Sequence, residues 1–288
     1  MGLLGNRARA YLELGKPRLS LTAVFAVVTG VYIGSPGFPD AGLVISCAVA
    51  AMLVAMGGSA LNMFAERDHD GRMKRTSGRP LPDGRLRPVE GLVAGAIAVV
   101  CGVALFVVTS NLLAAGLCAL IALIYVLIYT PLKRVTALNT LVGAVPGGLP
   151  PVVGYAAASG VIDMRALLLF VILFLWQIPH FLAIAWRYRD EYALGGMRMM
   201  PMVDPDGRST GAQMIIFTVS LVVATLAAYF AGMAGNLYLV TAVVLGLIFL
   251  VSSITAGVFR QESGMRRCFL VSVVYLPVLF GVMMLDKT

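Results

Sequence analysis

The chain has 288 residues, 59% of them hydrophobic and 12% charged, with a mean hydropathy of +0.90. A soluble domain carries about a quarter charged residues, so this composition excludes a water-exposed globule, a disordered chain and a disulfide scaffold, and it reads as a polytopic membrane protein. The net charge of +8, from 22 basic against 14 acidic residues, does not point to nucleic acid, because the basic residues sit between apolar stretches, where they act as topology signals.

The N-terminal stretch MGLLGNRARAYLELGKPRLS has charge but no separate short apolar region with a cleavage site, so no removable signal peptide is expected. Gly2 lacks the Ser or Thr four residues later that a myristoylation signal carries. A bilayer core about 30 Å thick takes about 20 apolar residues per helix. Nine segments qualify: 19–37, 41–63, 91–110, 112–130, 138–158, 166–186, 212–233, 236–259 and 268–285. The expected fold is all-α, a single integral-membrane domain spanning residues 1–288. Gly and Pro inside spans, as in VPGGLPP at 145–151, predict close packing or local helix breaks.

Lys and Arg number four in 1–18, seven in 64–90, two in 131–137, four in 187–211 and three in 260–267, leaving only Arg165 and Lys287 on the other side. The positive-inside rule then puts the N-terminus in the cytoplasm and, after nine spans, the C-terminus outside. The two long inner loops, 64–90 and 187–211, are dense in ionisable residues, and long loops in a compact protein are usually functional or disordered. Cys47, Cys101, Cys118 and Cys268 lie in or at the end of apolar segments without a CxxC pair. With two histidines in the whole chain, this argues against zinc and for small buried residues.

The first chemistry-bearing segment is LNMFAERDHDGRMKRTSGRPLPDGRLRP, 61–88. If the second span continues helically through Asp70, then Asn62, Glu66 and Asp70 are four apart and share about 80° of one face. An amide and two carboxylates there offer hard oxygen ligands of the type Mg²⁺ takes, with phosphate oxygens completing the shell. Asp68 is out of step. Lys74, Arg75, Arg79 and Arg85 follow and can grip a diphosphate, arginine by forked hydrogen bonds. The alternative is a helix end whose charges mark the interface. It accounts for the arginines but not for carboxylates at the end of an apolar helix, where they are costly without partners.

In YTPLKRVTALN, 129–139, Pro131 ends a span and Lys133 and Arg134 stand at the inner surface, either as an ordinary positive turn or as an anion site. Tyr129 joins the candidate substrate contacts. In LFLWQIPHFLAIAWRYRDEY, 173–192, Gln177 and His180 lie inside an apolar stretch that ends at Asp190 and Glu191. Pro179 should loosen the backbone beside His180. An intramembrane histidine is by default a functional hypothesis, the alternative being a ring satisfied by a neighbouring helix. His180 lies about ten residues before Asp190, roughly 15 Å deeper if the helix persists. His69, read as lying in a solvated loop, carries no such expectation. Trp176, Phe181, Trp186, Tyr188 and Tyr192 fit either an apolar ligand channel or an interfacial belt. The parts together describe a cavity with Mg²⁺-binding carboxylates, cations for phosphate and apolar walls, suited to transfer of a prenyl chain.

Asn62-x-x-x-Glu66-x-x-x-Asp70 followed by RTSGRPLPDGR at 75–85 resembles the first aspartate-rich motif of the UbiA superfamily of intramembrane prenyltransferases. With YTPLKR at 129–134 and WQIPHF at 176–181, the chain is similar to the branch of that superfamily that farnesylates protohaem IX. The resemblance implies a UbiA-type fold in a bacterial cell membrane and transfer from farnesyl diphosphate to the 2-vinyl group of haem b. Hydroxyl addition then gives haem O, which passes to haem A synthase or a terminal-oxidase assembly pathway. Asn62, Glu66, Asp70 and Asp190 match metal–diphosphate positions; Arg75, Arg79, Lys133 and Arg134 match basic residues around the diphosphate; Gln177 and His180 fall in the haem-branch segment. The second acidic motif is reduced to Asp190 followed by Glu191, which leaves a second Mg²⁺ open. A UbiA-type enzyme acting on a quinone precursor or another tetrapyrrole would keep the first motif without WQxPHF. A transporter would leave the acidic cluster and its arginines without a role.

Overall fold

The computed structural model describes residues 3–288, and the reading of Gly2 lies outside the described residues. Among the described residues there is no strand, and nine helices are long and apolar enough to cross a membrane. A short helix α1 (Leu3–Leu14) precedes the spans α2 (Pro17–Gly34), α3 (Ala41–Asp70), α4 (Pro88–Thr109), α5 (Leu112–Leu132), α6 (Asn139–Ser159) and α7 (Met164–Arg187). Two short helices, α8 (Arg189–Leu194) and α9 (Met200–Val203), lead to the last spans α10 (Arg208–Phe230), α11 (Asn236–Phe259) and α12 (Glu262–Leu285).

The starts follow capping chemistry. Asp40 accepts from the Leu43 N–H, Asn111 from Ala114 and Asp163 from Arg165 and Ala166, each satisfying donors that the first turn leaves open. Pro17 and Pro88 open α2 and α4, where a missing N–H costs nothing. At the end of the bundle away from the basic loops, Lys287 donates to the carbonyls of Tyr32 (2.7 Å), Ser35 and Gly37. This caps the C-terminus of α2 with a cation and ties the last span to the first.

The VPGGLPP run does both things expected of it. α6 is built of two helical pieces, Asn139–Gly148 and Pro150–Ser159, meeting at Leu149. The second piece lies against α2 so closely that a Cβ on Gly30 would sit 1.9 Å from the Pro151 carbonyl oxygen, and one on Gly154, just past the run, 1.8 Å from the Val27 carbonyl oxygen. Only glycine fits there, as in other membrane helix pairs where small residues let backbones touch.

Two large apolar clusters result, and a smaller third one joins α1, α3 and the loop that follows α3. Of the large pair, one gathers α6, α7, α10, α11 and α12 with one edge of α2; the other gathers α2 to α6. Between them lies a cavity of about 500 Å³, walled by α2, α3, α5, α6, α7 and α12.

Candidate active site

α3 runs unbroken for 30 residues, to Asp70, so the helical register through the acidic motif holds. Asn62, Glu66 and Asp70 are buried to 1, 3 and 1% exposure, while the Asp68 side chain is 74% exposed and faces Arg67. Thr76 donates its hydroxyl to the Asp70 carbonyl (2.8 Å). That turns the following loop back over the helix end and lets Arg79 reach the Asp70 carboxylate, Nη1 to Oδ2 at 2.6 Å. Lys133 comes from the end of α5 to 2.9 Å from Glu66 Oε1. Its ammonium is held above its ordinary pKa: burial works against the charge, and Tyr129, Glu66 and Tyr125 outweigh it.

A third cation was not singled out by sequence reasoning. Lys16, just before Pro17, has φ 48°, a left-handed conformation that side chains rarely adopt and that tends to mark functional sites. Its Nζ lies 3.4 Å from Asn62 Oδ1. Burial, then Arg79 and Lys133, push its pKa down to about 7, with Glu66 and Asp70 opposing.

Three cations therefore surround two buried carboxylates, an arrangement that supports the carboxylates and leaves room for a further anion. The Asp70 Oδ1 atom is buried without a partner, and Glu66 Oε1 makes no aligned hydrogen bond despite the nearby ammonium. Buried charged oxygens are costly unless paired, so these two fit a hard dication such as Mg²⁺. Among the described residues no group of three His, Cys, Asp or Glu gathers to hold a metal. The donors are two carboxylates and an amide, and a cation here needs oxygens from the substrate.

The amide is aimed by α5, in which Ile124–Tyr129 form a π-helical segment, a feature frequent at functional sites. Asn62 Nδ2 donates to Thr130 Oγ1 (3.0 Å), and that hydroxyl donates to the Tyr125 carbonyl (2.8 Å). The carbonyl accepts the single hydroxyl proton, so Thr130 must accept from the amide and Asn62 Oδ1 is left facing Lys16. Tyr125 and Tyr129, stacked at 5.6 Å, line the cavity. Tyr129 also lies under the Lys133 ammonium, 4.6 Å from Nζ.

The charged cluster sits at the mouth of the apolar cavity. A basic pocket of about 380 Å³, with Lys16, Lys74, Arg75 and Arg79 on its walls, adjoins it. The two are four residues apart at the start of α2 (Lys16, its N-cap, against Ser20) and on α3 (Met63 against Ser59).

Not every expected residue gathers here. Arg75 lines the basic pocket, but its guanidinium lies over Tyr188 and Tyr192, 4.9 and 5.5 Å from their ring centres. Arg134 Nη1 is 2.9 Å from His69 Nε2, and His69 Nδ1 is 3.0 Å from the Gly195 carbonyl. A carbonyl only accepts, so Nδ1 carries the proton and Arg134 donates to Nε2. His69 thus lies in the last turn of α3, half-buried, joining the segments that follow α5 and α8, and not in a solvated loop. Asp190 stays apart from the metal–diphosphate set: its carboxylate is 94% exposed and 3.8 Å from Arg189. α7 ends at Arg187, and the chain turns at Tyr188 before the short α8 that carries Asp190. Glu191 instead accepts from the Arg75 N–H (3.0 Å).

Deeper in the cavity, α7 continues through Pro179 without a break. Gln177 lines the cavity, but its Nε2 donates to the Leu173 carbonyl (2.9 Å) and its Oε1 would lie 2.0 Å from any Cβ on Gly147. His180 packs against Trp176 (4.8 Å), Phe269 (5.1 Å) and Phe181 (5.5 Å) between ring centres, with Nδ1 2.7 Å from Ser272 Oγ. Of the five aromatics first weighed between channel and belt, Trp176 and Phe181 line the cavity.

Nine membrane-length helices among the described residues, six of them walling an apolar cavity beside a cation-ringed carboxylate pair, define a multi-pass membrane protein that can hold an anionic head and an apolar tail together. The UbiA prenyltransferase family matches residues 23–276, and the chain belongs to that family. It is similar to a protein named protoheme IX farnesyltransferase from Solibacter usitatus (strain Ellin6076), at 41% identity over 97% of this chain and 99% of the relative. Its fold is similar to that of a UbiA homolog from Aeropyrum pernix K1, with TM-score 0.74 and 22% identity over 93 and 98% of the two chains. A UbiA homolog from Archaeoglobus fulgidus bound to DMAPP and Mg²⁺ matches with TM-score 0.64 and 15% identity over 95 and 98%.

Proposed function

We propose that the chain, acting as one domain over residues 1–288, transfers the farnesyl group of farnesyl diphosphate to the 2-vinyl group of haem b, giving haem O. The observation that carries this reading is the pair of under-partnered oxygens on two buried carboxylates beside an apolar cavity, the carboxylates being paired with Arg79 and Lys133 and Lys16 standing against the neighbouring Asn62. The name of the Solibacter relative supports the acceptor, and the Archaeoglobus structure supports Mg²⁺ with a prenyl diphosphate.

Asn62, Glu66 and Asp70 would hold Mg²⁺ together with diphosphate oxygens; the ion supplies positive charge that favours departure of the diphosphate. Arg79, Lys133 and Lys16 face the same oxygens and stabilise charge as it develops on the leaving group, in a site that excludes bulk water. The diphosphate leaves with the C–O electron pair, and the allylic cation forms a C–C bond with the terminal vinyl carbon. The new cation beside the pyrrole ring takes up water and releases a proton. The apolar walls keep water from the first cation, since early capture would waste it as farnesol.

In this reading the basic end faces the cytoplasm of a bacterial inner membrane and the C-terminus lies outside. The product passes to haem A synthase or terminal-oxidase assembly. Purified protein incubated with haem b, farnesyl diphosphate and Mg²⁺ should give haem O by mass spectrometry. No farnesylated haem from that mixture, with farnesylation of a quinone precursor or a different tetrapyrrole when one is supplied instead, would replace haem as acceptor.

A further inference from the structure

His180 and Trp176 lie one turn apart on α7, and both are bonded to Ser272 of α12. The Trp176 indole N–H donates to the Ser272 carbonyl (2.8 Å), and His180 Nδ1 lies 2.7 Å from the Ser272 hydroxyl oxygen. The direction of the second bond follows from a third. Ser272 Oγ lies 2.6 Å from the Phe269 carbonyl, which can only accept, so the hydroxyl proton is committed there. The serine oxygen must then accept from Nδ1–H. A neutral imidazole protonated at Nδ1 carries its lone pair on Nε2.

That nitrogen has no hydrogen-bond partner among the described residues, and His180 lines the 500 Å³ cavity. The ring cannot tip freely, being packed between Trp176 and Phe269. A histidine whose one nitrogen is tied as a donor and whose other presents a fixed lone pair is the usual state of a metal-ligating imidazole. It has no proton to give at Nε2, which excludes a general acid in this state. The neighbouring walls are apolar and aromatic, suited to the flat face of a macrocycle.

We infer that His180 Nε2 is an axial ligand for the iron of the acceptor porphyrin, and that Ser272 is the positioning residue that fixes its tautomer and direction. This rests on haem being the acceptor. Ligation would anchor the macrocycle below the charged cluster, at a depth set by α7.

The test is equilibrium binding to the full-length protein in detergent, read by absorption and electron paramagnetic resonance, with haem b and with metal-free protoporphyrin IX. Wild type should bind haem with an imidazole-type axial signature and should bind the metal-free ring more weakly. His180→Ala should lose that signature, and added imidazole should restore it. Ser272→Ala should weaken haem binding by about 10- to 100-fold, the usual effect of removing a ligand's orienting partner, while Ser272→Thr, which keeps the hydroxyl, should bind as wild type does. Haem converted to product with no imidazole signature, or with His180→Ala spectra equal to wild type, would overturn the ligand assignment and leave the proposed reaction standing. Absence of both haem binding and haem conversion would overturn the acceptor reading, and this inference with it.

Discussion

Two stretches of this chain look alike on paper: an apolar span running into carboxylates and arginines at 62–79, and another at 180–198. In the fold they do different work. The first keeps its helix to Asp70, so residues four apart stay on one face and are buried among cations. The second ends its helix at Arg187 and restarts as the six-residue α8, so Asp190 faces solvent while Glu191, Tyr188 and Tyr192 take hold of Arg75. Helix continuity, more than the presence of acidic residues, decides which stretch gathers buried carboxylates among cations and which stays at the surface and braces the other.

The largest effect expected of this contrast is at Asp70. Asp70→Asn removes a buried charge with one unpartnered oxygen and should lower turnover by about 10²- to 10³-fold, the scale of losing one preorganised electrostatic partner. Asp190→Asn and Asp68→Asn should stay within about threefold, as expected for solvated carboxylates. Steady-state kinetics on the three variants checks this, and comparable losses at Asp70 and Asp190 would break the contrast.

A smaller effect is expected at Arg79. Arg79→Lys keeps the positive charge but loses the planar fork, which is not a conservative exchange at a carboxylate- or phosphate-binding position. The KM for farnesyl diphosphate should rise about tenfold, corresponding to about 1.4 kcal/mol, with topology unchanged. An unchanged KM would confine Arg79 to a topological role.

The brace can be tested separately. Glu191→Gln weakens a charge-assisted bond to the Arg75 N–H, and because the pair is exposed the effect on stability should be under about 1 kcal/mol. Limited proteolysis should cut the 71–87 loop faster, while Mg²⁺ dependence stays as in wild type. A changed Mg²⁺ dependence would place Glu191 in the first site after all.

The smallest effect concerns Asp204, which organises the start of α10 by accepting from Thr210 N (2.6 Å), Thr210 Oγ1 (2.7 Å) and Ser209 N (3.3 Å). Burial acts to raise its pKa, and these donors outweigh it, so the folded value lies below the ordinary one. The stabilisation is complete above the unfolded value of about 3.9 and is lost as pH falls through the lower folded value. Asp204→Asn should lower Tm by a few degrees near neutral pH, and the gap to wild type should close at strongly acid pH. A gap independent of pH would mean the carboxylate charge is not what organises the turn.

What could be read from the sequence follows the same physics. The nine spans and the Asn62, Glu66, Asp70 face were legible because both depend on period and length along one helix. Lys16 was not, because its aim depends on a left-handed residue before a proline, which no periodicity shows. Thr130 was hidden by the π-helical segment before it, which shifts its face relative to a regular helix. Ser272 lies 92 residues from the histidine it holds, and one serine in an apolar helix gives no pattern. Asp190 entered the metal set through resemblance to a second acidic motif, and nothing in its local pattern shows that its carboxylate faces solvent.

The most direct measurement is equilibrium binding of a non-reactive farnesyl diphosphate analogue to wild type, Asp70→Asn and Asp190→Asn, each with and without Mg²⁺. The account predicts Mg²⁺-dependent binding in wild type, the same dependence in Asp190→Asn, and its loss in Asp70→Asn with the fold intact by circular dichroism. Mg²⁺-dependent binding that survives in Asp70→Asn and disappears in Asp190→Asn would contradict it.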